Sequence, residues 1–94
     1  MNIGFIGIGL MGFPMAKNLL KSGYNLKAFN RSQAKADRLK EFGAEISTSI
    51  KEVVTNSDVV ITMLTDDAAV EKVMSSNEFI TNIKENATVI DMSS

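Results

Sequence analysis

The 94-residue chain contains no cysteine and no histidine. Their absence excludes disulfides, thiolate metal sites, cysteine nucleophiles and histidine general bases within this sequence. The net charge is −1 and basic residues form no run, so neither nucleic acid nor an anionic membrane surface is expected as a partner. No apolar stretch approaches the roughly 20 residues that span a bilayer. A strand pattern begins at the first residues, so we expect no cleaved signal peptide and a cytoplasmic location.

Three of the six glycines fall within residues 7–12, which read GIGLMG. A short apolar run precedes this motif and an amphipathic segment ending at Gly23 follows it. Strand, turn and helix occur in this order in a dinucleotide-binding βαβ unit. In such a unit Gly7 turns the chain out of the strand, Gly9 lets the backbone approach a pyrophosphate, and Gly12 lets the helix pack closely. The unpaired N–H groups at the helix start then face the phosphates. The alternative is a glycine-rich turn that serves only packing.

Strand and helix patterns alternate along the rest of the chain. The first helix is predicted from residue 10 or 11 to 22, with Pro14 in its first turn and Gly23 as a left-handed cap. A capping-box spacing from Ser49 to Glu52 starts the third helix. Further strands are predicted at residues 25–29, around Ile46, at 58–64 and at 87–92. Further helices are predicted at residues 32–42, after 65–67, and as a short turn or helix at 79–83.

This alternation predicts an α/β fold with a doubly wound, parallel Rossmann sheet. With 45% hydrophobic and 22% charged residues, the composition is that of an ordinary globular protein, and the length allows one domain at most. Right-handed crossovers and the glycine turn after strand one predict the strand order 3-2-1-4-5. A ligand crevice is then expected beyond strands one and four, at residues 7–12 and 63–66, with the end of strand two at the same edge.

The end of strand two, residues 30–32, is the position where an acidic residue would accept both ribose hydroxyls of NAD. The sequence there is Asn-Arg-Ser, without a carboxylate. Because Arg31 suits a ribose 2′-phosphate, NADP is the predicted cofactor and NAD the second choice. The alternative is a polar turn in which Ser32 only caps the second helix.

Strand four ends at the same edge with Met63 and Leu64. Their side chains either line the crevice beside the adenosine ribose and pyrophosphate or belong to the core. Thr65 follows, with Asp66 and Asp67. These three residues fit a helix cap better than a metal site, because no further ligands cluster with them, and no metal is predicted.

Residues 4–24, GFIGIGLMGFPMAKNLLKSGY, resemble the amino-terminal signature of the β-hydroxyacid dehydrogenases. That family includes 3-hydroxyisobutyrate dehydrogenase, tartronate semialdehyde reductase and the glyoxylate/succinic semialdehyde reductases. Residues 59–64, 69–70 and 89–94 resemble it as well, so the similarity covers the whole chain. It implies that residues 1–94 are the NAD(P)-binding Rossmann domain of a longer protein, truncated before a sixth strand. The helical domain that carries the catalytic lysine would then be absent.

The resemblance implies that the full-length protein transfers hydride between the nicotinamide and a small-molecule substrate, a β-hydroxy acid or its semialdehyde. Ser93 and Ser94 resemble the family's substrate-carboxylate contacts, or they fray as a chain end. No catalytic residue is expected in this chain, because its lysines fall among polar neighbours and fit a solvated surface. These lysines are Lys17, Lys21, Lys35, Lys40, Lys51, Lys72 and Lys84. The predicted cofactor contacts are Gly7, Ile8, Gly9, Leu10, Met11, Gly12, Asn30, Arg31, Ser32, Met63, Leu64 and Thr65.

Two other functions share the βαβ fingerprint. A regulatory nucleotide-sensing domain has no chemistry of its own, and a Rossmann-like methyltransferase usually keeps an acid at the end of strand two. Asn30 and Arg31 argue against the methyltransferase, and the resemblance of residues 11–20 argues against the sensor. We expect the chain to bind the cofactor without turnover. We also expect the isolated chain to be marginally stable or to form homo-oligomers, because the strand at residues 87–92 would lie at a sheet edge.

Overall fold

The computed structural model describes residues 1–8, 12–30, 33–64, 72–73 and 75–92. Within them strands alternate with helices along the chain, as the sequence predicts. The strands are β1 (Asn2–Ile6), β2 (Asn25–Phe29), β3 (Glu45–Ile46), β4 (Val59–Thr62) and β5 (Thr88–Asp91). The described helices are α1 (Gly12–Lys21), α2 (Gln33–Asp37), a 3-10 helix (Arg38–Phe42), α3 (Ile50–Val54) and α4 (Asn77–Asn82).

The strands form one parallel sheet in the order β3-β2-β1-β4-β5, which confirms the predicted order. The last residue of β1, Ile6, lies opposite Phe29 of β2 and Thr62 of β4. Thr62 in turn lies opposite Asp91, the last residue of β5. Because these four strands end in register, the segments that follow them meet at one edge of the sheet. We call this the carboxyl edge.

Alternate residues of each strand face opposite sides of the sheet, so two apolar clusters form. On one face, Ile3 and Phe5 of β1 pack with Ala16 of α1 and Leu39 of the 3-10 helix. On the other face, Ile6 packs with residues of α3 and α4. Nearly all residues of β1 and β4 are buried, as expected for apolar strands covered on both faces.

The second helix differs from the continuous helix predicted over residues 32–42, because α2 gives way to a 3-10 helix at Arg38. With three residues per turn, Leu39 and Phe42 lie on the same side. Leu39 is fully buried, and the ring of Phe42 makes an edge contact with Phe13 of α1, with 6.0 Å between ring centroids. The 3-10 helix ends at Gly43, whose N–H donates to the carbonyl of Lys40 at 3.0 Å, and such turns are common at the carboxyl end of an α-helix.

Most helix ends agree with their sequence signals. Gly23 ends α1 with a positive φ of 94°, as predicted, and Gly43 ends the 3-10 helix with a φ of 100°. At the start of α3, the Ser49 hydroxyl accepts a hydrogen bond from the N–H of Glu52 (3.2 Å). The Glu52 carboxylate accepts from the N–H of Thr48 (2.8 Å) and not from Ser49, so the predicted capping box closes one residue earlier. The glutamate side chain is long enough to reach that N–H.

β4 and β5 are shorter than predicted, spanning Val59–Thr62 and Thr88–Asp91. The N–H groups of Met63 and Met92 still donate to the neighbouring strands, at 2.8 Å each, so pairing continues one residue beyond each strand. The helix predicted after residues 65–67 lies outside the described residues, apart from two helical residues at 72–73.

α4 begins earlier than the sequence suggests. The sequence favours a loop through residue 77 and a short turn or helix from 79, whereas α4 spans Asn77–Asn82. The hydroxyl of Ser76 accepts a hydrogen bond from the N–H of Phe79 at 3.3 Å and caps the helix. Because Phe79 is buried against α3, the side-chain packing and the cap support the same helix start.

Candidate cofactor-binding site

Gly7 lies where the carboxyl ends of three strands meet. Its N–H donates to the carbonyl of Phe29 in β2, and the N–H of Met63 after β4 donates to the carbonyl of Ile6, at 2.8 Å each. Gly7 has a φ of 91°, and a Cβ there would lie 2.4 Å from the carbonyl oxygen of Met63. Both the backbone conformation and the crowding therefore require glycine at the predicted turn out of strand one.

Ile8 is the second residue of the glycine-rich turn, and both its side chain and its backbone N–H contact other parts of the fold. The side chain is 4% exposed and packs in the cluster on the α1 face. The N–H donates to the side-chain oxygen of Asn30 at 2.8 Å, which joins the end of β2 to the turn after β1. Sequence reasoning relates Asn30 only to the ribose and misses this contact. No local sequence pattern could indicate it, because the two residues lie 22 positions apart.

α1 begins at Gly12, close to the end of β1. A Cβ on Gly12 would lie 3.2 Å from the carbonyl oxygen of Gly7 and 3.3 Å from the ring of Phe5, so glycine permits the predicted close packing. The first turn of α1 carries no acidic residue, and Lys21 lies in its last turn. The positive end of the helix dipole therefore has no negative side chain in its own first turn, which suits a phosphate.

Met63 and Leu64 flank Gly7 from the end of β4. Both are half-buried, with Met63 against the cluster on the α1 face and Leu64 against the cluster on the opposite face. A Cβ on Gly7 would lie 2.8 Å from Cδ2 of Leu64. Each side chain has a packed part and an exposed part, so packing in the core does not exclude contact with a ligand at the carboxyl edge.

A buried side chain links β4 to β5 at the same edge. The hydroxyl of Thr62, which is fully buried, donates to Oδ1 of Asp91 at 2.9 Å. Sequence reasoning misses this contact, because no local pattern connects two residues 29 positions apart. The pair fixes the end of β5, which Met92 separates in the sequence from the two serines predicted to contact the substrate.

The predicted contact residues divide into two groups. Those in the described part of the chain converge at the carboxyl edge, as a ligand crevice there requires. They are Gly7, Ile8, Gly12, Asn30, Met63 and Leu64. The others lie outside the described residues. They are Gly9, Leu10, Met11, Arg31, Ser32, Thr65, Ser93 and Ser94.

Five of the described lysines are exposed at the surface, and two others contact neighbouring elements of the fold. The exposed ones are Lys21, Lys40, Lys51, Lys72 and Lys84, and the side chain of Lys35 lies outside the described part. Lys17 is not simply solvated as predicted, because it is half-buried with its ammonium 4.8 Å from the ring centroid of Phe42. Lys27, which sequence reasoning passes over, donates to the carbonyls of Glu52 (2.8 Å) and Thr55 (2.5 Å) near the end of α3.

An open hollow of about 410 Å³ lies at the opposite edge of the sheet, where the strands begin. Three asparagines that line it bond to one another. Nδ2 of Asn2 donates to the carbonyl of Asn56, and Nδ2 of Asn25 donates to Oδ1 of Asn2, at 3.2 Å each. Ligands of parallel α/β sheets bind beyond the carboxyl ends of the strands, so we take the carboxyl edge as the candidate site.

The residues that the structure describes hold neither a candidate metal site nor a candidate membrane span. Among those the structure describes, no three side chains of the types that bind metal ions lie together. None of the described helices combines the length and the apolar character needed to cross a bilayer.

Comparison with known proteins identifies the family. Residues 2–94 match the family described as the NAD binding domain of 6-phosphogluconate dehydrogenase. Glyoxylate/succinic semialdehyde reductase 1 of Arabidopsis thaliana is 39% identical over 94 residues, which are 99% of this chain and 32% of that protein. The probable mitochondrial 3-hydroxyisobutyrate dehydrogenase of Dictyostelium discoideum is 40% identical over 92 residues, which are 97% of this chain and 29% of that protein. The chain belongs to the β-hydroxyacid dehydrogenase family.

A solved structure of the β-hydroxyacid dehydrogenase family shows the same fold. The Mycobacterium tuberculosis 3-hydroxyisobutyrate dehydrogenase with L-serine superimposes with a TM-score of 0.91 and 30% identity, over 98% of this chain and 31% of that one. The chain thus spans about a third of the length of the relatives it matches. It corresponds to their NAD-binding domain.

Proposed function

We propose that this chain is the NADP(H)-binding domain of an oxidoreductase that transfers hydride between the nicotinamide and a small β-hydroxy acid or its semialdehyde, in the cytoplasm. Gly7 carries the proposal, because its positive φ and its contacts with the ends of β2 and β4 turn the chain out of β1 at the edge of the sheet where α1 begins. The names of the relatives, a semialdehyde reductase and a hydroxyisobutyrate dehydrogenase, support the substrate class.

The proposed cofactor lies along the carboxyl edge. Its pyrophosphate faces residues 7–12 and the first N–H groups of α1, and its adenosine ribose faces residues 30–32. The 2.8 Å hydrogen bond from Ile8 to Asn30 supports this arrangement, since it holds these two segments side by side. Met63, Leu64 and Thr65 would line the crevice from β4, and Ser93 and Ser94 would contact the substrate beyond β5.

The group that exchanges a proton with the substrate oxygen lies, in this proposal, outside the chain. Hydride transfer needs such an acid or base, and the family resemblance implies a lysine of a separate helical domain. We therefore expect the purified chain to bind the dinucleotide without turnover. A nicotinamide absorbance assay with small hydroxy acids and semialdehydes should show no reaction above buffer. Saturable, protein-dependent oxidation would contradict the proposal.

NADP is proposed over NAD because residues 30–32 contain no carboxylate. A 2′-phosphate brings roughly two negative charges, which an aspartate at position 30 would repel. Arg31 supplies a guanidinium and Ser32 a hydroxyl. Charge-assisted hydrogen bonds contribute about 1.5–3 kcal/mol each, so one or two of them would make the preference roughly 10- to 1000-fold.

Calorimetric titration with both cofactors at low salt tests this preference. The double substitution Asn30→Asp with Arg31→Ala should erase or reverse it. Arg38→Ala is the matched control, because it removes a positive charge whose guanidinium lies 4.8 Å from the ring centroid of Phe13. The control should leave the ratio of the two affinities unchanged. Equal affinities of the native chain, or tighter NAD, would mean that residues 30–32 form only a turn and a helix cap.

A further inference from the structure

Two successive backbone N–H groups at the start of the glycine-rich turn point toward the same strand, β2. In a regular strand, successive N–H groups point to opposite sides. Here the N–H of Gly7 donates to the carbonyl of Phe29 and the N–H of Ile8 donates to the side chain of Asn30, at 2.8 Å each. Because Gly7 has a positive φ, the N–H of Ile8 also points toward β2. It lies beyond the carbonyl of Phe29, which is the last residue of that strand. The asparagine side chain provides the acceptor at that point.

The hydrogen bond from Ile8 to Asn30 fixes the backbone at residues 7–8, the first two residues of the turn predicted to contact the pyrophosphate. The side chain of Ile8 is buried in the cluster on the α1 face, and its N–H is held in a partly buried hydrogen bond. Without the Asn30 oxygen, that N–H would lose its partner in a place that water reaches only in part. The Gly7–Ile8 peptide, which carries this N–H, would then be held less firmly.

We propose that Asn30 is a positioning residue, which fixes the Gly7–Ile8 peptide at the start of the glycine-rich turn through the N–H of Ile8 and so supports dinucleotide binding. This inference rests on the proposed function, because it concerns the same site. The effect of Asn30 on binding should be the same for both cofactors. Since the pyrophosphate is common to both cofactors, Asn30 supports the binding of NAD as well as of NADP. What position 30 requires is a side-chain oxygen, which aspartate retains and alanine lacks.

Hydrogen exchange of the Ile8 amide, measured by NMR in the cofactor-free chain, tests the contact itself. Asn30→Ala should accelerate this exchange roughly tenfold or more. Asn30→Asp should leave it within about twofold of native, because a carboxylate oxygen also accepts from a backbone N–H. Asn25→Ala is the matched control at the other end of β2, where the side chain donates to Asn2, and it should change nothing.

Titration of the same variants with NAD and NADP tests the consequence for binding. Asn30→Ala should weaken both by a similar factor, roughly tenfold, whereas Asn30→Asp should keep the affinity for NAD and weaken NADP. Native-like Ile8 exchange in Asn30→Ala, or a loss confined to NADP, would overturn the inference. If the alanine variant unfolds, fast Ile8 exchange in Asn30→Asp would overturn it instead.

The exchange measurement needs no cofactor, so the two proposals fail separately. A native chain that binds neither dinucleotide would overturn the proposed function. The Ile8 exchange in the three variants would then still decide whether Asn30 holds the turn.

Discussion

β1 and β5 are both predicted from short apolar runs, yet they have opposite environments. β1 lies at the centre of the sheet, and its residues from Ile3 to Ile6 are buried. β5 lies at the edge and pairs with β4, and three of its four residues are exposed. The contrast is clear for one residue type, since Ile6 is 1% exposed and Ile90 is 42% exposed.

The difference in burial between β1 and β5 arises on one face of the sheet, the face that α1 covers at β1. Val89 packs with the cluster beneath α3 and α4, so strand alternation directs Ile90 and Met92 to the opposite face. That face is packed by α1 and the 3-10 helix at β1 and β2, whereas Ile90 and Met92 stay exposed. An apolar run therefore indicates a strand, but burial depends on which elements cover it.

The largest expected effect comes from truncating the same residue type in the two strands. Ile6→Ala should lower the free energy of unfolding by about 2–5 kcal/mol, because it leaves a cavity in a packed cluster. Ile90→Ala should change it by less than about 0.5 kcal/mol, as expected for an exposed side chain. Urea denaturation measures both. If Ile6→Ala does not fold, Ile6→Val replaces it, with an expected loss of about 0.5–1.5 kcal/mol. Equal losses at the two positions would remove the contrast between the strands.

A second prediction concerns self-association through β5. An edge strand with exposed Ile90 and Met92 favours pairing with another copy of the chain, so we expect concentration-dependent oligomers in sedimentation experiments. Ile90→Lys with Met92→Lys should raise the dissociation constant by about tenfold or more, by removing apolar contacts and adding repulsion. Tyr24→Lys, at an exposed aromatic residue before β2, is the control and should leave association unchanged. A native chain that sediments as a monomer at all concentrations would refute this prediction.

The smallest effect is expected from a change at Asp58, which lies at the edge of the sheet where the strands begin. Asp58, before β4, accepts from the N–H of Asn2 through Oδ2 (2.8 Å) and pairs with Lys84 through Oδ1 (2.5 Å). The Asn2 N–H, and then Lys84, lower the pKa of Asp58 below its ordinary value. The stabilisation is therefore complete above the ordinary pKa and is lost as the pH falls through the lowered pKa.

Thermal melts across pH measure this small contribution. Asp58→Asn should lower Tm slightly at neutral pH. The difference in Tm between this variant and the native chain should vanish in acid. Lys84→Met should have a smaller effect still, because an exposed ion pair contributes little. A Tm difference that stays constant down to strongly acidic pH would show that the charge of Asp58 is not the cause.

Local patterns in the sequence determined the order of the elements and, through it, the topology. Right-handed crossovers convert the alternation of strands and helices into the order 3-2-1-4-5, which the structure confirms. Residues 25–29 form β2 as predicted, and Gly7 has the positive φ that its turn requires. Because parallel strands end at a common edge, the sequence also predicts which segments meet there. These features need only periodicity, turn chemistry and chain handedness.

Only the tertiary structure decided the contacts between residues far apart in sequence. The hydrogen bond from Ile8 to Asn30 spans 22 positions, and the pair of Thr62 and Asp91 spans 29. The exposure of Ile90 likewise depends on which segments cover its face of the sheet. A side-chain hydrogen bond or a buried surface requires two groups to be close in space. That distance is set by how the strands and helices pack, and it is not encoded within any one of them.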